Sequence, residues 1–145
     1  MVLVRKATRQ DLPRILALYE ELTEEKQNIS AETLERVFNQ ISHMPDHEIL
    51  VAEENGTILG TSLLQIVPNL THDARPWAIV ENVVVGSRYR RQGAGRLLME
   101  YIKDRCRQAG CYKIQIMSNI KRKEAHQFYR AIGFADSAVG FRLYI

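Results

Sequence analysis

An arginine- and glycine-rich stretch has the residue types that bind phosphate: Arg90, Arg91, Gln92, Gly93, Ala94 and Gly95. It follows an apolar run, Val83–Val85, and precedes a helical pattern that begins near Arg96. The first amides of a helix lack partners within it, and the two glycines let a ligand approach the backbone closely. No Ser, Thr, Asp or Asn directly precedes Arg96 as a cap, so a bound anion could satisfy these amides. The same residues could also form a simple strand-to-helix connection.

Two familiar phosphate-binding loops do not fit this stretch. A P-loop requires Lys and then Ser or Thr after its last glycine, whereas Gly95 is followed by Arg96 and Leu97. The dinucleotide fingerprint requires a third glycine three positions after the second, where this chain has Leu98. Both loops are therefore excluded.

A third pattern, Arg/Gln-x-x-Gly-x-Gly/Ala between a strand and a helix, is matched by Arg90, Gly93 and Gly95. A second motif, Ala-x-x-x-Tyr-x-x-x-Gly-Phe, is matched by Ala125–Phe134. Together the two motifs resemble those of the GNAT superfamily of N-acetyltransferases. Within that superfamily, Val80–Val85 and Cys111–Ile114 look most like the small glucosamine-6-phosphate N-acetyltransferases.

The resemblance implies acetyl-coenzyme A as the acyl donor. The Gly93 loop would hold its pyrophosphate, and the backbone of the preceding strand would pair with its peptide-like pantetheine arm. Where the family often has Asn three residues before the alanine of the second motif, this chain has Arg122, so Asn119 or Arg122 would take over that contact. The residues expected to hold the donor are Val83, Val84, Val85, Arg90, Arg91, Gln92, Gly93, Ala94, Gly95, Arg96, Asn119, Arg122 and Phe128.

Two side chains are candidates for proton transfer. An ammonium group must lose a proton before it attacks a thioester, and Glu81 is the carboxylate on the strand before the loop. Strand alternation predicts that Glu81, Val83 and Val85 share one face. The resemblance makes Tyr129 the acid that protonates the departing thiolate. A surface carboxylate and a core tyrosine are the structural alternatives.

The loop Pro68–Pro76 leads into the strand that carries Glu81 and is expected to line the acceptor pocket. His72 and Arg75 could bind an anionic amine such as an amino-sugar phosphate, with Trp77 beside them. A solvated loop, with Trp77 in the core or at a dimer interface, is the alternative.

Composition fits one cytoplasmic domain spanning residues 1–145. The 145 residues are 46% hydrophobic and carry a net charge of +3. The chain contains no run of five basic residues, the kind of run that would indicate nucleic-acid binding. It also contains no apolar run that approaches the roughly 18 residues of a membrane span. Pro45 separates His43 from His47, and Cys106 and Cys111 are expected to be reduced thiols, so no metal site is predicted.

The hydrophobic pattern predicts the element order β-α-α-β-β-β-α-β-α-β-β, which is the order of the GNAT fold. Local signals predict a capping box at Thr8–Asp11 before the first helix, a second helix from Ser30, a hairpin at Asn55-Gly56 and a left-handed helix end at Gly110. We therefore expect an α/β (α+β) domain with a mixed central sheet of about seven strands and about four helices. A splayed pair of parallel strands, Trp77–Val85 and Cys111–Met117, would hold the donor. The last two short strands would come from Phe134–Ile145.

The sequence thus favours an acetyl-coenzyme A-dependent N-acetyltransferase that acts on a primary amine of a small molecule, without a metal and with a homodimer as one possible assembly. Three alternatives stay open at this point. The chain could be a catalytically silent acyl-coenzyme A-binding module, it could acetylate a protein amine, or it could be a basic nucleic-acid-binding domain. The presence of both Glu81 and Tyr129 argues against a silent module.

Overall fold

A computed structural model describes all 145 residues. The chain forms five strands and five helices. The strands are β1 (Leu3–Lys6), β2 (His47–Glu54), β3 (Thr57–Val67), β4 (Trp77–Val85) and β5 (Ile114–Ile116). The helices are α1 (Leu12–Thr23), α2 (Ala31–His43), α3 (Thr71–Ala74), α4 (Ala94–Ala109) and α5 (Lys123–Ala131). Short 3-10 turns precede α1 and α4 at Arg9–Asp11 and Ser87–Tyr89.

The five strands form one sheet in the order β1-β2-β3-β4-β5. The first four strands pair antiparallel, and β2 and β3 are joined at Asn55 and Gly56, whose φ angles are 50° and 80°. Positive φ at both positions is the requirement of a tight hairpin turn, so the hairpin prediction is confirmed. Beside β4, Tyr112 N–H donates to Pro76 O and Ala78 N–H to Lys113 O. These bonds advance in the same direction along both segments, which is the predicted parallel sense.

The sheet is buried on both faces. Leu50 and Val51 are neighbours on β2 and point to opposite faces, yet both are 0% exposed. Helix α1 contributes Ile15 and Leu18 to a core cluster that includes Val51. Helix α4 contacts β1 to β4 and buries Leu98, Met99 and Ile102. The strand that carries the predicted base is therefore fixed by packed helices.

The predicted helix starts are confirmed at two places. Asp11 accepts from the backbone N–H of Thr8 at 2.7 Å in a capping box before α1, and Ser30 Oγ accepts from Thr33 N–H at 3.1 Å at the start of α2. Both cysteines are free thiols, and burial raises the pKa of Cys106 to about 12. None of the helices combines the length and the hydrophobicity that crossing a membrane requires.

The fold class is confirmed, with five strands in place of about seven. Residues 134–145 form no strand, and β5 is three residues long where seven were predicted. The run Val139–Ile145 has the alternating apolar residues of a strand, but a strand also needs a hydrogen-bonding neighbour, and this run is exposed. The chain divides into two compact units, Met1–Gln115 and Ile116–Ile145.

Candidate active site

The loop between β4 and α4 ends in an unusual helix start. Arg91 has a φ of 62°, and Gly93, the N-cap of α4, has a φ of 90° and provides no side-chain hydrogen bond to the helix. The first bond of the helix runs from Leu97 N–H to Gly93 O at 3.0 Å. The amides of Ala94, Gly95 and Arg96 therefore begin the helix without acceptors inside it.

The space in front of this helix start is open. An added Cβ at Gly93 would have no atom within 4 Å. The first turn of α4 contains no acidic residue. Unsatisfied amides, the positive end of the helix dipole and open space are together the features that favour an anion at a helix start.

Four exposed arginines surround the loop without a carboxylate in ion-pair distance: Arg88, Arg90, Arg91 and Arg96. The Nε atom of Arg90 donates to Val85 O at 3.3 Å, and Gln92 Nε2 donates to Arg88 O at 3.3 Å. These contacts use backbone oxygens and leave the positive charges uncompensated. The loop thus presents a field that attracts a multiply charged anion such as a pyrophosphate.

Strand β4 contains a β-bulge at the predicted catalytic position. Glu81 lies opposite Leu63, and Val84 lies opposite Thr61, so two residues of β4, Asn82 and Val83, stand opposite the single residue Ser62 of β3. Asn82 has a φ of 53°, in the left-handed region that Asn tolerates. Bulges of this kind redirect side chains and occur often beside active sites.

The bulge overturns one sequence prediction. Because Thr61 and Leu63 share a face of β3, their partners Val84 and Glu81 share a face of β4, while Val83 lies on the other face. Simple alternation predicted that Glu81, Val83 and Val85 lie on one face of β4. This prediction is wrong, because the extra residue at Asn82 reverses the alternation of side chains between the two faces. Glu81 and Asn82 are both exposed, whereas Val83 and Val84 are buried.

Tyr19 of α1 was not predicted as part of this region. Burial raises the pKa of its hydroxyl, and hydrogen bonding with the side chains of Thr61 and Asn82 partly lowers that pKa again. The bulged residue thus interacts with a tyrosine from a helix that is distant in sequence. No pattern in the sequence pointed to this pairing, because it depends on the phase shift in β4.

The predicted acceptor residues come together around an aromatic ring. His72 stacks on Tyr112 with ring centroids 3.9 Å apart, and the Arg75 guanidinium lies 5.7 Å from the centroid of the same ring. Lys113 Nζ lies 5.2 Å from the Trp77 ring and 5.4 Å from the Tyr112 ring. We call these five residues the cation–aromatic cluster. Tyr112 and Lys113 were not predicted as site residues, because their proximity comes from the pairing of β5 with β4.

The loop before β4 has a strained backbone. His72, Asp73 and Ala74 have consecutive φ angles of 54°, 59° and 59°, so α3 is largely left-handed. Each such residue costs on the order of 1 kcal/mol, and the surroundings must compensate. The Asn69 side chain does so by donating to Thr71 Oγ1 at 2.8 Å and to Arg75 O at 3.3 Å. Strain of this kind often accompanies a functional loop.

A small cleft of about 170 Å³ lies beside the loop between β4 and α4, lined by Arg14, Glu21, Ser87, Arg88 and Tyr89. Glu21 accepts from Ser87 N–H at 3.0 Å. The cleft is smaller than the roughly 300 Å³ or more of typical ligand pockets. It includes none of the predicted site residues.

Four predicted site residues lie in the second unit. Tyr129 on α5 is buried, 7% exposed, and its ring contacts those of Phe128 and Phe134 at 5.5 and 5.8 Å. Asn119 accepts from Lys121 N–H at 2.9 Å, and Arg122 is the N-cap residue of α5. The unit thus holds Tyr129 in an aromatic cluster.

Comparisons with known proteins identify the family of the chain. The model of the acetyltransferase (GNAT) family matches residues 15–134. Glucosamine 6-phosphate N-acetyltransferase of Arabidopsis thaliana is 29% identical over 81% of this chain and 78% of its own length. Aminoalkylphosphonate N-acetyltransferase of Salmonella typhimurium is 27% identical over 97% of each chain.

A solved structure from Bacillus halodurans, described as a transcriptional regulator, covers 100% of both chains with a TM-score of 0.92 and 27% identity. The family model spans both motifs that were read from the sequence. Acetyl-coenzyme A is the co-substrate of that family. The chain belongs to the GNAT family of acetyltransferases.

Proposed function

We propose that this chain transfers the acetyl group of acetyl-coenzyme A to the primary amine of a small molecule that carries a phosphate or phosphonate group. The observation that carries the proposal is the uncapped start of α4, surrounded by four arginines without carboxylate partners. Elsewhere in the chain, buried charges such as Asp11 and Glu48 have ion-pair partners. An unsatisfied positive site therefore favours an external anion.

The donor would bind along β4 and at the start of α4. In this proposal the amides of Gly93 to Arg96, with Arg90 and Arg91, hold the pyrophosphate, while the backbone of Val83–Val85 pairs with the pantetheine arm. The bulge supports the second contact, because it interrupts the pairing of β4 with β3 and bends the strand at Asn82. Asn119, Arg122 and Phe128 remain proposed contacts to the coenzyme.

Acetyl-coenzyme A supplies an activated acyl group, so the chain itself needs to move two protons. Glu81 takes a proton from the acceptor ammonium, directly or through a water molecule, and the neutral amine forms the new C–N bond. As the C–S bond breaks, Tyr129 gives its phenolic proton to the departing thiolate. The second proton, which the nitrogen loses as the amide forms, restores the phenol through water, and Glu81 returns its proton to solvent. The exposed position of Glu81 on the bulged strand supports its access to an acceptor.

The cation–aromatic cluster supports an acidic acceptor. His72, Arg75 and Lys113 place three groups that can carry positive charge around one ring, and a dianionic phosphate or phosphonate complements them. Two relatives are named for acceptors that contain both an amine and such a group. We therefore propose an acceptor class, a small molecule with both an amine and a phosphate or phosphonate group, and not one particular molecule.

Release of the coenzyme A thiol tests the function directly. We expect release with glucosamine 6-phosphate or an aminoalkylphosphonate, and at least about tenfold less at equal concentration with glucosamine, which lacks the anion. Glu81→Gln should lower the rate by on the order of 100-fold near neutral pH, with partial recovery above about pH 9 as free amine becomes abundant. Equal rates with and without the phosphate would disprove the acceptor class.

No release with any amine, despite tight binding of acetyl-coenzyme A, would instead identify a binding module. If the rate of Glu81→Gln depends on pH in the same way as that of the parent, Glu81 has a structural role and is not the general base. The wild-type rate at high pH is the control for the intrinsic reactivity of the amine.

Tyr129→Phe separates catalysis from packing, because it keeps the ring and deletes only the hydroxyl. A core tyrosine should lose roughly 1 kcal/mol of stability or less. A general acid should lose on the order of 100-fold in single-turnover rate with unchanged affinity for acetyl-coenzyme A. Single-turnover transfer and thermal melting of the same variant measure both, and normal turnover would exclude the catalytic role. Phe134→Leu, a change in the other ring that packs on Tyr129, is the packing control.

A further inference from the structure

The hydroxyl group of Tyr19 joins three elements that are distant in the chain. Tyr19 lies on α1, and its ring packs against the core cluster that includes Leu18 and Val84. Its hydroxyl hydrogen-bonds with the side chains of Thr61 on β3 and Asn82 on β4. An apolar ring would fill the same space in the core. The hydroxyl is therefore the part of Tyr19 that makes specific contacts.

Thr61 connects this hydroxyl to the interior of the sheet. Thr61 is 0% exposed, and its Oγ1 donates to Leu50 O on β2 at 2.7 Å. The hydrogen bonds thus link Asn82 through Tyr19 and Thr61 to the backbone of β2. Buried polar chains whose members all have partners rigidify the structure around them. The side chain of Asn82 is in this way held by a rigid part of the core.

Asn82 has lost the usual support of a strand residue. Asn82 and Val83 stand together opposite the single residue Ser62, and a bulge disrupts the regular pairing with the neighbouring strand. Asn82 also has a φ of 53°, a conformation that costs free energy for a residue with a side chain. Glu81 directly precedes Asn82, so the direction of the Glu81 side chain depends on how firmly the bulge is held.

We propose that Tyr19 is a positioning residue for acetyl transfer, because its hydroxyl holds the bulge at Asn82 and thereby directs the Glu81 carboxylate toward the acceptor amine. The inference rests on the proposed function, in which Glu81 takes a proton from the ammonium group. Tyr19 acts through Asn82 and exchanges no proton with the substrate. A displacement of about 1 Å in an active site can cost on the order of 100-fold in rate. Loss of one hydroxyl can therefore slow the reaction in a protein that keeps its fold.

Tyr19→Phe tests the hydroxyl alone, because the ring and its packing remain. We expect the single-turnover rate near neutral pH to fall at least about tenfold, while the affinity for acetyl-coenzyme A changes less than about twofold. Asn82→Gly should act similarly, since glycine keeps the left-handed backbone but deletes the side chain that Tyr19 holds.

Tyr101→Phe on α4 is the matched control, because it deletes the hydroxyl of another half-buried tyrosine. It should leave the rate within about twofold of that of the parent. Thermal melting shows whether all three variants fold.

A double-mutant cycle links Tyr19 to Glu81. If Tyr19 acts through the base, Tyr19→Phe should slow the Glu81→Gln protein by less than about twofold, because the group that Tyr19 positions is already gone. Equal losses in both backgrounds would overturn the inference. A slow Glu81→Gln beside a normal Tyr19→Phe would refute the inference alone. A normal rate of Glu81→Gln would refute the proposed mechanism, and the inference with it.

Amide hydrogen exchange measures how firmly the bulge is held, without any measurement of activity. The amides of residues 81–84 should exchange at least about threefold faster in Tyr19→Phe than in the parent, because a hydrogen bond that limits local opening is lost. The amides in the middle of α4 should exchange at the parent rate. Tyr101→Phe should leave exchange in residues 81–84 unchanged. Unchanged exchange of these residues in Tyr19→Phe would overturn the inference.

Discussion

Helices α2 and α4 begin in opposite ways. Helix α2 has Ser30 as its N-cap, whose Oγ accepts from Thr33 N–H at 3.1 Å, and Glu32 in its first turn. Helix α4 has Gly93 in a left-handed conformation, no side-chain cap and no acidic residue in its first turn. The chain thus satisfies one helix start with its own atoms and leaves the other unsatisfied.

The same contrast holds for the charges. Arg5 bonds to Asp11 and Glu53, and Arg105 bonds to Glu48. Around Gly93, by comparison, Arg91 and Arg96 have no carboxylate partner. These arginines lie beside the uncapped start of α4, so an external anion there would meet both free amides and uncompensated charge.

The largest effect on stability is expected at Asp11, whose carboxylate has its partners within the chain. Asp11→Asn removes a buried carboxylate that bonds to Arg5 at 2.7 and 3.0 Å, and should cost about 2 kcal/mol in the free energy of unfolding at neutral pH. Affinity for acetyl-coenzyme A should not change. Denaturant unfolding and calorimetric binding measure the two quantities.

The pH dependence sharpens this prediction. Hydrogen bonding to Arg5 holds the pKa of Asp11 below its usual range. The contribution of Asp11 to the free energy of unfolding is therefore complete above the pKa of about 3.9 that Asp has in the unfolded chain. It is lost as the pH falls through the lower pKa that Asp11 has in the folded state. The parent should lose stability more steeply than Asp11→Asn as the solution is acidified below about pH 5. Parallel curves would show that Asp11 does not carry this stability.

The next effect concerns the unsatisfied helix start. Gly93→Ala and Gly110→Ala place a Cβ at the two ends of α4, where φ is 90° and 79° and neither Cβ meets an atom within 4 Å. Both changes should cost a similar 1–2 kcal/mol in stability, because both positions are left-handed. Only Gly93→Ala should weaken binding of acetyl-coenzyme A, by at least about tenfold or 1.4 kcal/mol.

Calorimetric titration of both folded variants checks this difference. If both variants bind acetyl-coenzyme A with equal affinity, the coenzyme does not bind at the start of α4. The Gly110 variant controls for strain, since it alters the same helix at its other end.

The smallest effect is expected at the satisfied cap. Ser30→Ala removes one hydrogen bond to Thr33 N–H and should lower the free energy of unfolding by about 1 kcal/mol. Because α2 has its own cap, binding of acetyl-coenzyme A should stay within error of the parent. Denaturant unfolding measures the loss, and a stability equal to that of the parent would contradict the capping role. Ser42→Ala, farther along the same helix, is the control for a lost hydroxyl.

Local signals in the sequence predicted much of the fold. Asn55-Gly56 indicated the hairpin, Ser30 the start of α2, and Gly110 the left-handed end of α4. Each of these features depends on residues close together in the chain. The family was also readable, because both of its motifs are short and contiguous.

Features that depend on tertiary pairing could not be read in this way. The bulge at Asn82 is set by the pairing of β4 with β3, and it moved Glu81 to a different face from Val83. The cluster around Tyr112 requires β5 to lie beside β4. The prediction of two short strands in Phe134–Ile145 is wrong, because a strand also needs a hydrogen-bonding neighbour, which local sequence does not reveal.

The uncapped start of α4 has a consequence for the lifetime of the protein. A ligand that binds only the folded state stabilises it in proportion to its supply, by about 2.7 kcal/mol at a concentration one hundred times its dissociation constant. In the proposed complex, with the coenzyme bound at Gly93 where a capping residue would stand, that share of stability comes from outside the chain. Starvation for the coenzyme would then raise the unfolded fraction and expose the protein to proteolysis, so that its abundance follows the metabolic state of the cell.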